Sequence, residues 1–129
     1  MKTITITIGL ILISLASFSQ TFKSPYVIKG KNGFETEMKD RVISLSDKEI
    51  SISNFIGGTE TQYLTVEKIE EKEYSFDGKC KYYYCTTKDK DPINGYQKAI
   101  VIKAYNKVYM GLFATEIDMY LYQFSISKY

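Results

Sequence analysis

Residues 73–87, EYSFDGKCKYYYCTT, constrain the fold of this chain more than any other stretch. An Asp77-Gly78 pair lies there between two runs rich in Tyr and Phe. Such a pair predicts a β-hairpin, because a two-residue type I′ turn needs positive φ at both positions, and Asp and Gly accept that conformation. The flanking aromatic residues themselves favour strands. The stretch therefore predicts antiparallel β-structure.

Turn signals divide the rest of the chain into short strand-like runs. Asn32-Gly33 favours a turn with positive φ, and Asn106 marks another turn. Ile50 and Ile52 alternate with serines, which is the pattern of a half-buried strand. We predict strands at residues 22–29, 34–38, 41–46, 49–54, 60–69, 79–87, 96–105, 108–113 and 117–126.

Short strands joined in sequence by tight turns are typical of an antiparallel meander. We predict an all-β fold in which a small meander is closed as a barrel or folded as a sandwich. In architecture only, such a meander is similar to the lipocalin-like exported barrels that bind apolar ligands. Fold alone does not indicate function, so the side chains have to be considered separately.

Residues 66–73 are ambiguous between strand and helix, because most of them are good helix formers. The like-charge pairs Glu67/Glu71 and Lys68/Lys72 at i,i+4 oppose an isolated helix. We therefore predict a strand that ends near Ile69 and a charged turn at residues 70–72. A short helix is the alternative.

The N-terminus has the order of an export signal. Lys2 precedes an apolar run at residues 4–15, and the small residues Ser17 and Ser19 follow. The run is short for a membrane span. We expect residues 1–19 to be a signal peptide cleaved before Gln20, with residues 20–129 forming a single domain in the periplasm or outside the cell. A retained N-terminal anchor or a buried strand is the alternative, and after cleavage we expect no integral membrane segment.

Composition excludes several kinds of function. The chain has no His, so it cannot build a Ser-His-Asp or Cys-His catalytic group on its own. Lys and Arg number 17 against 15 Asp and Glu, and a nearly neutral chain does not suggest nucleic acid as a partner. Arg41 is the only arginine, which excludes an arginine cluster for phosphate groups. We expect no catalytic residues and no cofactor.

Two acidic stretches resemble functional sites only weakly. Residues 89–95 place oxygen-bearing side chains in a loop, but Asn94 and Gly95 fall one position late for a calcium loop. Neighbouring Lys88 and Lys90 also oppose a cation. We interpret this stretch as a solvated turn and expect no metal site. The glutamates of residues 67–73 alternate with lysines, which indicates an exposed charged segment rather than a catalytic pair.

The strongest candidate for a binding surface is a set of aromatic residues. Tyr combines a large rigid apolar surface with a polar tip, which suits contacts with ligands or partners. In the predicted strands Tyr82 and Tyr84 share one face and Tyr83 lies on the other, and the last strand carries apolar residues on both faces. The alternative is that these tyrosines are ordinary strand residues. The candidate surface comprises Tyr82, Tyr83, Tyr84, Tyr120, Tyr122 and Phe124.

The two cysteines, Cys80 and Cys85, are separated by five positions. An exported chain meets an oxidising compartment, which favours a disulfide. Along one strand, however, five residues span about 16 Å and an odd offset directs the side chains to opposite faces. A disulfide needs Cα atoms within about 7 Å. We predict two separate free thiols, and a local disulfide across a tight loop is the alternative.

These observations favour a non-catalytic exported β-domain that binds an apolar small molecule or a protein partner through a Tyr-rich surface. A structural or assembly role is the alternative, in which a second copy of the chain covers the second aromatic face. An enzyme without His is the least favoured interpretation. A cavity would favour a small ligand, and a flat exposed aromatic patch would favour a protein partner.

Overall fold

Antiparallel strands make up almost all of the structure, a computed structural model that describes residues 19–56, 59–74, 77–87, 96–113 and 119–128. Nine strands occur within these described residues: β1 (Gln20–Gly30), β2 (Phe34–Leu45), β3 (Glu49–Ile56), β4 (Glu60–Glu73), β5 (Lys79–Thr87), β6 (Lys98–Lys103), β7 (Lys107–Phe113), β8 (Met119–Ser125) and β9 (Ser127–Lys128). The solvated turn predicted at residues 89–95 lies outside them, as do residues 117 and 118 of the last predicted strand.

The strands close into a barrel. From β2 to β8 each strand pairs with the next one in sequence, and β1 pairs with both β2 and β8. This closes an eight-stranded antiparallel barrel, and the short β9 adds to it by pairing with the start of β1. Closure leaves few unpaired strand edges. The predicted all-β meander is confirmed, and its form is the barrel rather than the sandwich.

The barrel interior is filled by apolar side chains. Residues that alternate along the strands point inward and form one large core cluster. Eight of its side chains are wholly buried, so they border no space that a water molecule could enter: Ile43, Ile50, Ile52, Leu64, Val101, Val108, Leu112 and Phe124. A filled interior is usual for a barrel of this strand number.

The hairpin predicted at Asp77-Gly78 is present as β4 and β5, but its turn differs from the prediction. The ladder ends at the Glu73–Lys79 pair, so five residues connect the strands. The amide of Tyr74 donates to the carbonyl of Gly78 at 2.9 Å. Gly78 has a φ of +74°, and the only other described residue with positive φ is Asn54. Asp77 therefore does not have the positive φ that a type I′ turn requires, and the prediction of a two-residue type I′ turn is wrong. The positive φ predicted at residues 32–33 is also wrong.

The ambiguous stretch at residues 66–73 is part of β4, and the charged turn predicted at residues 70–72 is wrong. The spacing of the charges explains the strand. In a strand, side chains two positions apart share a face. Glu70 thus lies between Lys68 and Lys72, with 3.7 Å from its carboxylate to each ammonium. The like charges that would meet on a helix become alternating opposite charges on a strand.

Two further predictions of strand limits differ from the structure. The predicted strands at residues 34–38 and 41–46 form one continuous strand, β2. Its register with β1 shifts between Ser24 and Tyr26, which leaves Pro25 in a bulge, where a residue without an N–H is tolerated. The last predicted strand, residues 117–126, corresponds in the described residues to β8, which ends at Ser125, and the two-residue β9 that follows Ile126 was not predicted.

Candidate functional site

A second apolar layer covers part of the outer surface of the barrel. Cys80, Ile102 and Ala104 form a buried cluster that is separate from the interior core. They alternate along β5 and β6 with inward-facing residues such as Val101, so they lie on the outer face. The partly buried residues around them are Tyr74, Tyr82, Ile100 and Tyr109. Strands β5 and β6 therefore carry buried apolar residues on both their inner and their outer faces.

Beside this layer lies a concave apolar groove with a volume of about 490 Å³. It runs across the outer faces of strands β6, β7 and β8 and is bordered by β1, by the start of β2 and by Tyr74 of the β4–β5 connection. Two of its residues are large apolar side chains open to solvent, Phe34 at 65% and Leu121 at 41% exposure. The residues that form its outer-facing walls include Ile28, Phe34, Tyr74, Tyr82, Ile100, Ile102, Tyr109, Gly111, Met119 and Leu121.

The floor of the groove depends on a glycine. Gly111 pairs with Leu121 of β8 and with Ile100 of β6, at the centre of the groove. The thioether of Met119 lies over Gly111, in the space that a Cβ at position 111 would need. A glycine there lets the flexible methionine lie against the sheet, and Met side chains adapt well to irregular apolar surfaces.

Three tyrosine rings build one wall of the groove. The ring of Tyr74 lies 4.9 Å from that of Tyr109 and 6.1 Å from that of Tyr82, measured between centroids. Tyr109 Oη donates to Asp77 Oδ2 at 2.8 Å. Burial, together with this hydrogen bond, raises the pKa of Tyr109, so its hydroxyl stays protonated at physiological pH. The wall is therefore rigid, apolar on its ring faces and uncharged apart from the Asp77 carboxylate.

The structure does not bring the six aromatic residues singled out in the sequence onto one surface. Tyr83 and Phe124 lie in the barrel interior. Tyr120 and Tyr122 are partly buried against that interior core, where the Tyr122 ring stacks on Phe124 and lies tilted against the ring of Tyr120. Tyr82 and Tyr84 lie outside, as the predicted alternation requires. Only two members of the set, Tyr82 and Tyr122, border the groove.

Most of the groove residues were not singled out from the sequence, although a signal for them exists. The sequence shows apolar residues on both faces of the last strand, and Met119 and Leu121 on its second face do line the groove. In β6 the run Ala-Ile-Val-Ile is likewise apolar on both faces, so Ile100 and Ile102 remain outside when Ala99 and Val101 turn inward. A strand that is apolar on both faces therefore indicated, in the sequence, that its outer face contributes to an apolar surface.

The cysteines lie on opposite sides of β5, as predicted, and both are free. Cys85 belongs to the interior core with Tyr83, whereas Cys80 belongs to the outer layer. Burial raises the pKa of Cys85 to about 12 and also raises that of Cys80. Thiols that stay protonated are poor nucleophiles, so neither has the properties of a reactive cysteine.

A charged cluster of Lys29, Glu37 and Arg41 lies on the inner faces of β1 and β2, outside the groove. Glu37 accepts hydrogen bonds from Arg41 and, at 2.9 Å, from Lys29. The Arg41 hydrogen bond, with that of Lys29, lowers the pKa of Glu37 to about 2. Arg41 is buried, and within the described residues its Nε and Nη1 have no hydrogen-bond partner. The ion pair is the counter-charge that a buried guanidinium needs.

The described part of the chain holds no group of three or more potential metal-ligating Cys, Asp or Glu side chains. Nor do the described residues include a helix with the length and apolarity needed to cross a bilayer. No family model, curated protein or solved structure matches the chain.

Proposed function

We propose that this protein is a non-catalytic binding module that holds an apolar small molecule in the groove on the outer face of its barrel. The groove itself is the observation that carries the proposal. Small-molecule sites are concave, mostly apolar and roughly 300–1,000 Å³ in volume. The groove, at about 490 Å³ and with mainly aliphatic and aromatic walls, has these properties.

The shape of the groove favours a small molecule over a protein partner. A protein partner is expected to need a broad and flat apolar patch. Here the apolar surface is folded inward between the tyrosine wall and the β8 side chains Met119 and Leu121. The rings of Tyr74 and Tyr109 are held by contact with each other, so little conformational entropy would be lost on binding.

The ligand would lie outside the barrel rather than within it. A barrel that binds inside needs an interior cavity. The wholly buried side chains of the core, such as Leu64, Val101 and Phe124, leave no room for a ligand where they fill the barrel interior. The same closed sheet gives the groove a rigid floor, which suits a preformed site.

Binding of the neutral fluorescent probe N-phenylnaphthylamine tests the proposal. We expect saturable binding with enhanced, blue-shifted emission. Leu121→Asp puts a charge into the groove and should weaken binding about tenfold or more, equivalent to about 1.4 kcal/mol. Met38→Asp is the matched control, because Met38 is also an exposed apolar residue on a strand but does not line the groove. Unsaturable binding, or equal losses in the two variants, would contradict a site in the groove.

We also propose that the module acts after export, in the periplasm or outside the cell. The order of Lys2, the apolar run at residues 4–15 and the small residues Ser17 and Ser19 supports this proposal. The intact mass of the protein recovered from the exported fraction should correspond to a chain that begins at Gln20. A chain that retains residues 1–19 would contradict cleavage at this position.

A further inference from the structure

One amide side chain interrupts the apolar lining of the groove. Gln123 lies on β8 two positions after Leu121, so both side chains are on the outer face, and both line the groove. In the sheet, Gln123 is directly opposite Tyr109 of β7 on one side and Ile28 of β1 on the other. These two residues also line the groove. The Gln123 amide therefore lies between an aromatic and an aliphatic neighbour, on the same face of the sheet as the proposed site.

Within the described part of the chain, the side-chain amide of Gln123 has no hydrogen-bond partner. The side chain is half-buried, and its polar atoms are accessible to water. A ligand that covers the amide removes this water. A pure hydrocarbon would then leave a buried donor and acceptor unsatisfied, which is unfavourable. A ligand with a hydroxyl, carbonyl or amide group would replace the lost hydrogen bonds.

The lining of the groove does not favour a charged ligand. Among the described residues that form it, none is an Asp, Glu, Lys or Arg. Burial raises the pKa of Tyr82 and that of Tyr109, so both hydroxyls stay neutral at physiological pH. An ionised group beside Gln123 would lose water without gaining a counter-ion, which costs more than burial of a neutral polar group.

The register of the strands gives the groove a polar and an apolar end. Along the outer face of β8, Gln123 is followed by Leu121 and then by Met119. On β7, Tyr109 lies opposite Gln123, and Gly111 lies opposite Leu121. The surface therefore changes from an amide beside a tyrosine to aliphatic and thioether side chains over a glycine.

We infer that the ligand is a neutral, largely apolar molecule with one hydrogen-bonding group, and that the Gln123 amide binds this group. This inference rests on the proposed function and names the class of ligand and the residue that selects it. The apolar part of the ligand would lie along Leu121 and Met119. A site with such a polar group discriminates against analogues that lack its partner, because the group is then left unpaired.

Displacement of bound N-phenylnaphthylamine tests the inference with three ligands that share one ring system: 2-naphthol, naphthalene and 2-naphthoate. Naphthalene is the more apolar of the two neutral ligands, so apolar burial alone would make it the stronger competitor. We expect the reverse order on the unmodified protein, with 2-naphthol effective at an about threefold lower concentration than naphthalene. We expect 2-naphthoate to be the weakest. Stronger competition by naphthalene or by 2-naphthoate than by 2-naphthol overturns the inference.

Glutamine variants complete the test. Gln123→Leu removes the amide at similar size, and Gln97→Leu is the matched control, because Gln97 is an exposed glutamine outside the groove lining. In Gln123→Leu, naphthalene should compete better and 2-naphthol worse, which changes the ratio of their inhibition constants about tenfold. Each constant is calculated with the variant's own affinity for the probe. Gln97→Leu should keep the ratio of the unmodified protein.

The outcomes separate this inference from the proposed function. An equal ratio in Gln123→Leu and the unmodified protein overturns the role of Gln123 and leaves the groove as an apolar site. Unsaturable binding of the probe to the unmodified protein contradicts the proposed function, and the inference fails with it. If Gln123→Leu does not fold, the order of the three ligands on the unmodified protein decides the inference.

Discussion

The hydroxyl of Tyr109 donates a hydrogen bond of 2.8 Å to the carboxylate of Asp77, a residue 32 positions earlier in the chain. The bond joins the β4–β5 connection to the outer face of β7. It also sets the position of the tyrosine wall, because the Tyr74 ring of the same connection packs on Tyr109. One side-chain contact therefore links the hairpin predicted from the sequence to the groove that the fold creates.

We predict that Tyr109→Phe lowers the free energy of unfolding by about 1 kcal/mol. Removal of a hydrogen bond to a charged group typically costs about 1.5–3 kcal/mol, and partial exposure of this pair reduces the loss. Urea unfolding measures the difference. Tyr105→Phe is the matched control, because Tyr105 is 95% exposed, and it should change stability by less than about 0.5 kcal/mol. Equal stability of both variants would mean that the Asp77 bond contributes nothing.

Gly78 and Gly33 provide a second matched pair. Both have open space where a Cβ would be placed, but only Gly78 has positive φ. Gly78→Ala should therefore cost about 1–2 kcal/mol of stability through backbone strain. Gly33→Ala should have little effect, within about 0.5 kcal/mol. Thermal unfolding of the two variants would reveal the difference, and similar melting temperatures would contradict the left-handed conformation at Gly78.

The sequence was sufficient to predict the position of most strands, though not all of their limits, because the alternation of side chains and the turn residues are local properties. The barrel form follows from pairing between β1 and β8, which are far apart in the chain, so sequence left barrel and sandwich open. The groove depends on the same distant pairings, since it joins Ile28 to Leu121 and Tyr74 to Tyr109. The charged turn at residues 70–72 was wrong because neighbours on β5, not local charge, decide where β4 ends.

Glu37 should make the stability of the barrel depend on pH under acid conditions. Its pKa is about 2 in the folded protein against 4.5 as the ordinary value. Above pH 4.5 the carboxylate is ionised in both states, and its contacts with Arg41 and Lys29 contribute fully. As the pH falls from 4.5 towards 2, the unfolded chain takes up the proton first, so this contribution is lost.

Urea unfolding at pH 6 and pH 3 tests the role of Glu37. Glu37→Gln should be clearly less stable than the unmodified protein at pH 6, and the difference should shrink at pH 3. Glu35→Gln is the control, since Glu35 is an exposed residue of the same strand. A difference for Glu37→Gln that is the same at both values of pH would contradict a lowered pKa.

The buried free thiols predict a specific alkylation pattern. Denatured, non-reduced protein should react with iodoacetamide at two sites per chain, because Cys80 and Cys85 are both free. The native protein should react far more slowly at pH 8, since both thiols are buried and a raised pKa leaves little thiolate. Mass spectrometry counts the added groups. A mass two hydrogens lower, with no alkylation after denaturation, would indicate a disulfide instead.

Adjacent tyrosines of β5 should differ strongly in their effect on stability. Tyr83 is 3% exposed and packs in the barrel interior, whereas Tyr84 lies on the outer face beside Tyr82. Tyr83→Ala leaves a cavity in the core and should cost about 3–5 kcal/mol, as for other large aromatic residues in protein cores. Tyr84→Ala loses contacts on the surface, including the interaction of Lys72 with its ring, and should cost about 1 kcal/mol.

Urea unfolding of the two alanine variants measures both losses under the same conditions. Small domains have total stabilities of about 5–15 kcal/mol. Tyr83→Ala should therefore still show an unfolding transition, unless the stability of the unmodified protein is at the lower end of this range, in which case the variant should be unfolded without urea. The order of the two losses is fixed by the side-chain alternation of β5, which assigns odd-numbered positions from Lys81 to Cys85 to the interior side. A larger loss for Tyr84→Ala would reverse that assignment. Cys85 would then lie outside and Cys80 inside, and Tyr82 could no longer belong to the wall of the groove.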